Sequence, residues 1–127
     1  MALQFKFEKS EKYVIIRTTG LGKELKDFQE YAQAAVDYGE REGCRRFLLD
    51  ETGLAHETSI SDSFDLAEWL LQKMMANRVD KVACVGTPAD YERNKDFSLF
   101  ARNRGLNYRV FDSFNEAIDW LERDLNP

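Results

Sequence analysis

The stretch FLLDETGL, Phe47 to Leu54, decides the fold. Phe47, Leu48 and Leu49 are apolar at consecutive positions, with neither a helical nor an alternating period. Such a run is buried on both faces, as a strand inside a parallel sheet must be. It passes directly into Asp50, Glu51, Thr52 and a glycine. Two acids and a hydroxyl at a strand end can form an active site or a modification point. They can also be no more than a strand running out into water.

Working outward, YVIIRTT from Tyr13 is a second run that is apolar on both faces. KVACVG from Lys81 and NYRVF from Asn107 supply two more strands. Leu3, Phe5 and Phe7 alternate with polar residues, which predicts a strand with one buried face. The turn SEK joins it to the next strand as a hairpin.

Four apolar helical faces lie between and after these runs. They are Leu25, Phe28, Ala32, Ala35 and Val36, then Phe64, Ala67, Leu70, Leu71, Met74 and Met75. Phe97, Phe100 and Ala101 make the third, and Phe114, Ala117, Ile118, Leu121 and Leu125 the fourth. The ends carry their own signals. Gly43 is placed to cap the first helix, and Asp62 and Asp65 suit the first turn of the second. Thr87, Pro88 and Asp90 open the third, and Ser113 with Glu116 has the form of a capping box. Residues 53–61 read as a loop.

The order β-β-α-β-α-β-α-β-α predicts an α/β fold in a single domain, residues 1–127. Its sheet is five-stranded and mostly parallel, with four helices. The parallel strands are expected at 13–19, 46–50, 81–86 and 107–111, and an antiparallel N-terminal edge strand at 2–8.

The composition narrows the function classes. The chain has 127 residues, 43% hydrophobic and 32% charged, with a formal charge of −5. At this length roughly two thirds of the extended-chain surface can be buried, so a core needs neither disulfide nor metal. Acids outnumber scattered Arg and Lys, which argues against nucleic acid or an anionic membrane as partner. The start MALQFKFEKS lacks the apolar run of a signal peptide, and no stretch approaches the roughly 20 apolar residues of an integral membrane segment. Cys44 and Cys84 have no metal-site spacing and read as reduced thiols, which suits a cytoplasmic protein.

With the elements in order, the chain resembles the SpoIIAA-like group of small bacterial proteins, of STAS/SEC14 type. The ending RVFDSFNEAIDWLERDL, Arg109 to Leu125, looks like that group's close, a strand, an acid and a helix carrying Glu-Ala and Trp-Leu. DETGL, Asp50 to Leu54, stands where anti-sigma-factor antagonists of the wider STAS family carry Asp-Ser-Ser-Gly-Leu. The resemblance implies a SpoIIAA-like fold. For the antagonist branch it also implies a switch protein, bound by an anti-sigma kinase and phosphorylated at the position of Thr52. Glu51 replaces the serine before it, and here the next helix does not begin at the motif.

Ligands of open α/β sheets bind beyond the carboxyl ends of the strands. Asp50, Glu51, Thr52, Thr87 and Asp112 are therefore the candidate binding or regulatory rim, and Thr52 is the candidate phosphoacceptor. Phosphorylation of Asp50 as in receiver domains is rejected. The earlier strand ends RTTG without a carboxylate for Mg²⁺, and the last ends at Asp112 rather than a lysine. His56 is the single histidine, too few for a usual zinc site and more often a solvated side chain. Ser59, Ser61 and Ser63 read first as helix caps. Trp69 and Trp120 sit beside their helices' apolar faces and are candidate interface residues.

No catalytic motif, metal site or cofactor fingerprint is present in the sequence. The expectation is a non-enzymatic protein-interaction or regulatory module, with a protein partner or a homodimer. The alternative is a binder of a small or lipid-like apolar ligand, which should enclose a pocket of a few hundred cubic ångströms or more. An enzyme with its site at the carboxyl rim is the weakest reading.

Overall fold

The structure, a computed structural model, describes the backbone of residues 3–57 and 60–123 and the side chains of 3–57 and 65–123. Strands β1 (Gln4–Lys9) and β2 (Val14–Gly22) form the hairpin. Helix α1 (Leu25–Glu42), β3 (Arg46–His56), α2 (Ile60–Ala76) and β4 (Lys81–Val85) follow. A short 3₁₀ turn (Pro88–Asp90) leads into α3 (Tyr91–Asn103), then β5 (Tyr108–Phe111) and α4 (Phe114–Glu122). The sheet order is β1-β2-β3-β4-β5, with β1 antiparallel to β2 and every other pair parallel.

Strand order equal to chain order has a consequence for the layers. Each right-handed crossover steps the same way along the sheet, so α1, α2 and α3 cover one face. Only α4, which follows the last strand, covers the other. The core divides accordingly. Val14, Ile16, Phe47, Leu49, Val82 and Cys84 face the three-helix side, whereas Ile15, Leu48, Ala83 and Val85 face Ala117, Trp120 and Leu121 of α4.

Two sequence expectations are corrected. Residues 53–56 are strand, not loop, because β2 also runs on, to Gly22. Thr19, Gly20, Leu21 and Gly22 pair with Gly53, Leu54, Ala55 and His56. Backbone pairing extends both strands where their side chains give no clear alternation.

Trp120, read from the sequence as lying beside its helix's apolar face, belongs to that face and is buried at 7% exposure. It packs on Phe111 with ring centroids 5.6 Å apart. Lys81 Nζ lies 4.8 Å and Arg109 Cζ 5.5 Å from the Trp120 ring centroid. Lys81 also donates to the Trp120 carbonyl at 2.7 Å. Trp69 is half-buried against the three-helix core, with Lys73 Nζ 5.3 Å from its ring centroid. The exposed large apolar residues among those described, Phe7, Met75 and Leu99, lie on three different elements.

The caps expected at Gly43, Thr87 and Ser113 are present, whereas Asp65 falls in the second turn of α2 and not the first, because that helix begins at Ile60. Gly43 ends α1 at φ 67°, in the left-handed region that glycine adopts without a Cβ penalty. The Thr87 hydroxyl accepts from the Asp90 backbone N–H at 3.3 Å, and Ser113 does the same for Glu116 at 3.4 Å. Ser59, Leu125 and the side chains of Ser61, Asp62, Ser63 and Phe64 lie outside the described residues.

Candidate functional site

Strand β3 delivers side chains to both faces of the sheet. Leu48 faces α4 and Leu49 faces the three helices. By alternation Asp50 follows Leu48, and Glu51 follows Leu49. Between the pairs Arg17–Asp50 and Thr19–Gly53, β3 carries one residue more than β2. This bulge resets the alternation. Leu54 consequently joins the three-helix core, and His56 comes round to the same side as Glu51.

The rim expected from the sequence thus splits in two. On the α4-facing side, Arg17 bonds Asp50 Oδ2 at 2.8 Å and Glu8 at 3.2 Å. Asp50 Oδ1 accepts from both the Thr52 backbone N–H at 3.0 Å and the Thr52 hydroxyl at 2.7 Å. Thr52 itself is exposed. Asp112 is exposed beyond β5, two strands away from β3, and does not join this group.

The other half is enclosed. Glu51 is 6% exposed, and its Oε2 accepts from the Tyr31 hydroxyl of α1 at 2.7 Å. Its Oε1 lies 3.7 Å from His56 Nε2, which is also 4.0 Å from Asp90 Oδ2. Thr87 belongs here through Asp90, whose Oδ2 accepts from the Thr87 hydroxyl at 3.3 Å. The His56 ring stacks on Phe28 of α1, with centroids 5.0 Å apart and planes 8° apart. Gly22 makes that stack possible, since a Cβ there would stand 2.2 Å from the Phe28 ring.

From α3, Asn94 reaches in over Gly86, where a Cβ would stand 2.8 Å from its Nδ2. Phe28, Tyr31, Glu51, His56 and Asn94 line a cavity of about 70 Å³, together with Leu66, Leu70 and Met74 of α2 and with Phe97 and Tyr108. Two of the atoms around it are buried without a hydrogen-bond partner among the described residues, His56 Nε2 and Asn94 Nδ2. A third such atom, Thr18 Oγ1, is not part of the cavity wall.

The sequence reading weighed His56 and passed over Asn94, Tyr31 and Phe28. One signal was available. Asn94 and Ser98 are four residues apart on the inward face of α3, where apolar residues belong. Ser98 has a structural use, because its hydroxyl donates to the Tyr108 carbonyl at 2.7 Å. Asn94 has no such use for its Nδ2. Among the described residues no group of three or more His, Cys, Asp or Glu side chains is arranged to hold a metal ion. No helix there is long and apolar enough to cross a membrane.

Burial, and then the charge of Glu51, push the Tyr31 hydroxyl well above its ordinary 10.0 and the Cys84 thiol well above its ordinary 9.0. Burial next to Cys84 does the same for Tyr108. Each group is neutral in the folded protein and free to ionise once unfolded. Their stabilisation is complete below the ordinary values and is lost as pH rises above them toward the raised folded ones. Urea unfolding should therefore give a stability that is flat up to about pH 9, then falls by up to about 1.4 kcal/mol per pH unit for each group. In Cys84→Ala the fall should begin later, near the ordinary tyrosine value of 10.0. A stability unchanged through about pH 11 would contradict this.

No family model matches the sequence, and no curated protein does. Solved structures do. An uncharacterized protein of the DUF3478 family from Shewanella loihica PV-4, described as having a SpoIIAA-like fold, superimposes over 94% of this chain and 93% of its own. The TM-score is 0.60 at 18% identity. The fold is SpoIIAA-like. Two further structural neighbours are anti-sigma factor antagonists. One, from Mycobacterium paratuberculosis, covers 97% of this chain and 96% of its own, with TM-score 0.66 and 9% identity. The other is SpoIIAA in its unphosphorylated form, covering 95% and 100%, with TM-score 0.53 and 14% identity. At these identities the likeness carries the SpoIIAA-like fold and nothing of the site.

Proposed function

We propose that this chain is a non-enzymatic binding module whose cavity under α1, α2 and α3 receives a small polar molecule. The observation that carries the reading is the pair of buried atoms without a hydrogen bond among the described residues, His56 Nε2 and Asn94 Nδ2, on one cavity. An unsatisfied buried polar group costs about 1 to 3 kcal/mol, and a ligand that bonds both removes that cost. About 70 Å³ is far below what a lipid-like ligand requires. A binding role rather than catalysis is supported by Cys84, whose raised pKa keeps it a neutral thiol instead of a nucleophilic thiolate. The scattered exposed apolar residues and the buried Trp120 give less support to a module built on one apolar docking patch.

A second reading keeps one specific support. Thr52 is exposed, lies outside the cavity, and among the described residues its hydroxyl bonds its neighbour Asp50. It would serve a protein-interaction switch of the kind that anti-sigma factor antagonists represent. One experiment separates the two. Backbone amide NMR shifts are recorded during a screen of small molecules of up to about seven non-hydrogen atoms. The ligand reading expects shifts grouped at Tyr31, His56 and Asn94. If no molecule moves those three residues, the ligand reading fails and the Thr52 reading is left.

A further inference from the structure

We infer that the molecule taken up by this cavity is a small organic cation of about five non-hydrogen atoms, an ammonium that also carries a hydrogen-bond acceptor for Asn94 Nδ2. This rests on the ligand-binding reading above and adds the ligand's charge. The size follows from about 70 Å³ of space, with roughly 10 to 15 Å³ needed for each water-sized group.

The charge follows from the wall. Glu51 brings a carboxylate into the cavity at 6% exposure, and no Lys or Arg is among the lining residues. The neutral Tyr31 hydroxyl bonds one of its oxygens, and the other faces His56 at 3.7 Å. Asp90 adds a second carboxylate 4.0 Å from the same imidazole. A buried carboxylate without a fixed cation is costly, and a cationic ligand offsets that cost directly.

The remaining wall suits the same ligand. Phe28, Tyr31, Phe97 and Tyr108 place four aromatic rings around the space, and ring faces attract ammonium groups. Asn94 is 7% exposed and its amide meets the cavity, so it can bond a polar group carried beside the charge.

The test titrates the full chain with tetramethylammonium chloride, tert-butanol and sodium trimethylacetate, at matched NaCl, following the amides of Tyr31, His56 and Asn94. The three probes share a branched apolar shape and differ in charge. Their size limits affinity, so the titration runs through the millimolar range. Tetramethylammonium should bind at least tenfold tighter than either other probe. Glu51→Gln, which keeps an acceptor for Tyr31, should lose at least tenfold.

Should that variant fail to fold, the ranking of the three probes on the unaltered chain makes the same test, because they differ in charge at similar shape. The cation assignment is overturned if tert-butanol or trimethylacetate binds as tightly as tetramethylammonium, or if Glu51→Gln binds tetramethylammonium as tightly as the parent chain. In those cases the ligand-binding reading stands. Failure of all three probes to move the cavity amides overturns both.

Discussion

Trp120→Ala is expected to cost about 3 to 5 kcal/mol, no less than the about 2 to 5 kcal/mol expected for Leu121→Ala. Both side chains are buried, Leu121 completely and Trp120 at 7% exposure. Trp120 loses its Phe111 contact and the covering Lys81 and Arg109 side chains, and Leu121 leaves a cavity in the α4-facing core. Sedimentation of the two variants should match that of the parent chain. Chemical denaturation gives the energies. A loss below about 1 kcal/mol for Trp120→Ala, with a changed sedimentation coefficient, would make Trp120 an interface residue instead.

The geometry of α4 explains why this was hard to read from the pattern. Measured from Ile118, Trp120 stands about 200° round the helix and looks misplaced. Ile118, however, is only partly buried and marks one margin of the face, whose centre is Ala117 and Leu121. From Leu121 the turn to Trp120 is about 100°, and from Ala117 about 60°. Trp120 is the opposite margin. Because α4 alone covers its side of the sheet, the Trp120 margin is covered by side chains rising from β4 and β5, Lys81, Arg109 and Phe111.

The sheet was legible because each central strand is apolar on consecutive residues and each helix carries a clear stripe. Where backbone pairing rather than side chains sets the boundary, the pattern was silent. Thr19 to Gly22 and Gly53 to His56 extend each other's strands, and nothing in TGLG or GLAH announces it.

The site was legible by half. The rule of strand carboxyl ends pointed to Asp50, Glu51, Thr52 and Thr87. It could not say that period-two alternation sends Asp50 and Thr52 to one face and Glu51 to the other. The one-residue bulge that brings His56 beside Glu51 is a long-range property of the β2–β3 register, invisible within either strand alone. The rim also has no switch point, since the strands stand in chain order. The cavity consequently lies under three helices on one face, not in a crevice between helices of opposite faces.

Asn94→Leu should make the ligand-free protein more stable by about 1 to 3 kcal/mol. Most substitutions at a residue only 7% exposed are damaging, so this sign is diagnostic. Leucine has nearly the shape of asparagine and places a methyl group where the unpartnered Nδ2 lies over Gly86. The desolvation cost of the amide disappears, and the apolar neighbours Leu70, Met74 and Phe97 around the cavity accept the replacement. Binding sites commonly hold such costs in reserve for their ligand, so stability gained should be function lost. The decisive measurement is urea unfolding of Asn94→Leu beside the parent chain, without ligand. A more stable variant that no longer shows ligand-induced amide shifts at Tyr31 and His56 is the expected result. A variant destabilised by more than about 1 kcal/mol would show that Asn94 is a satisfied structural residue, and the cavity would lose its standing as the functional site.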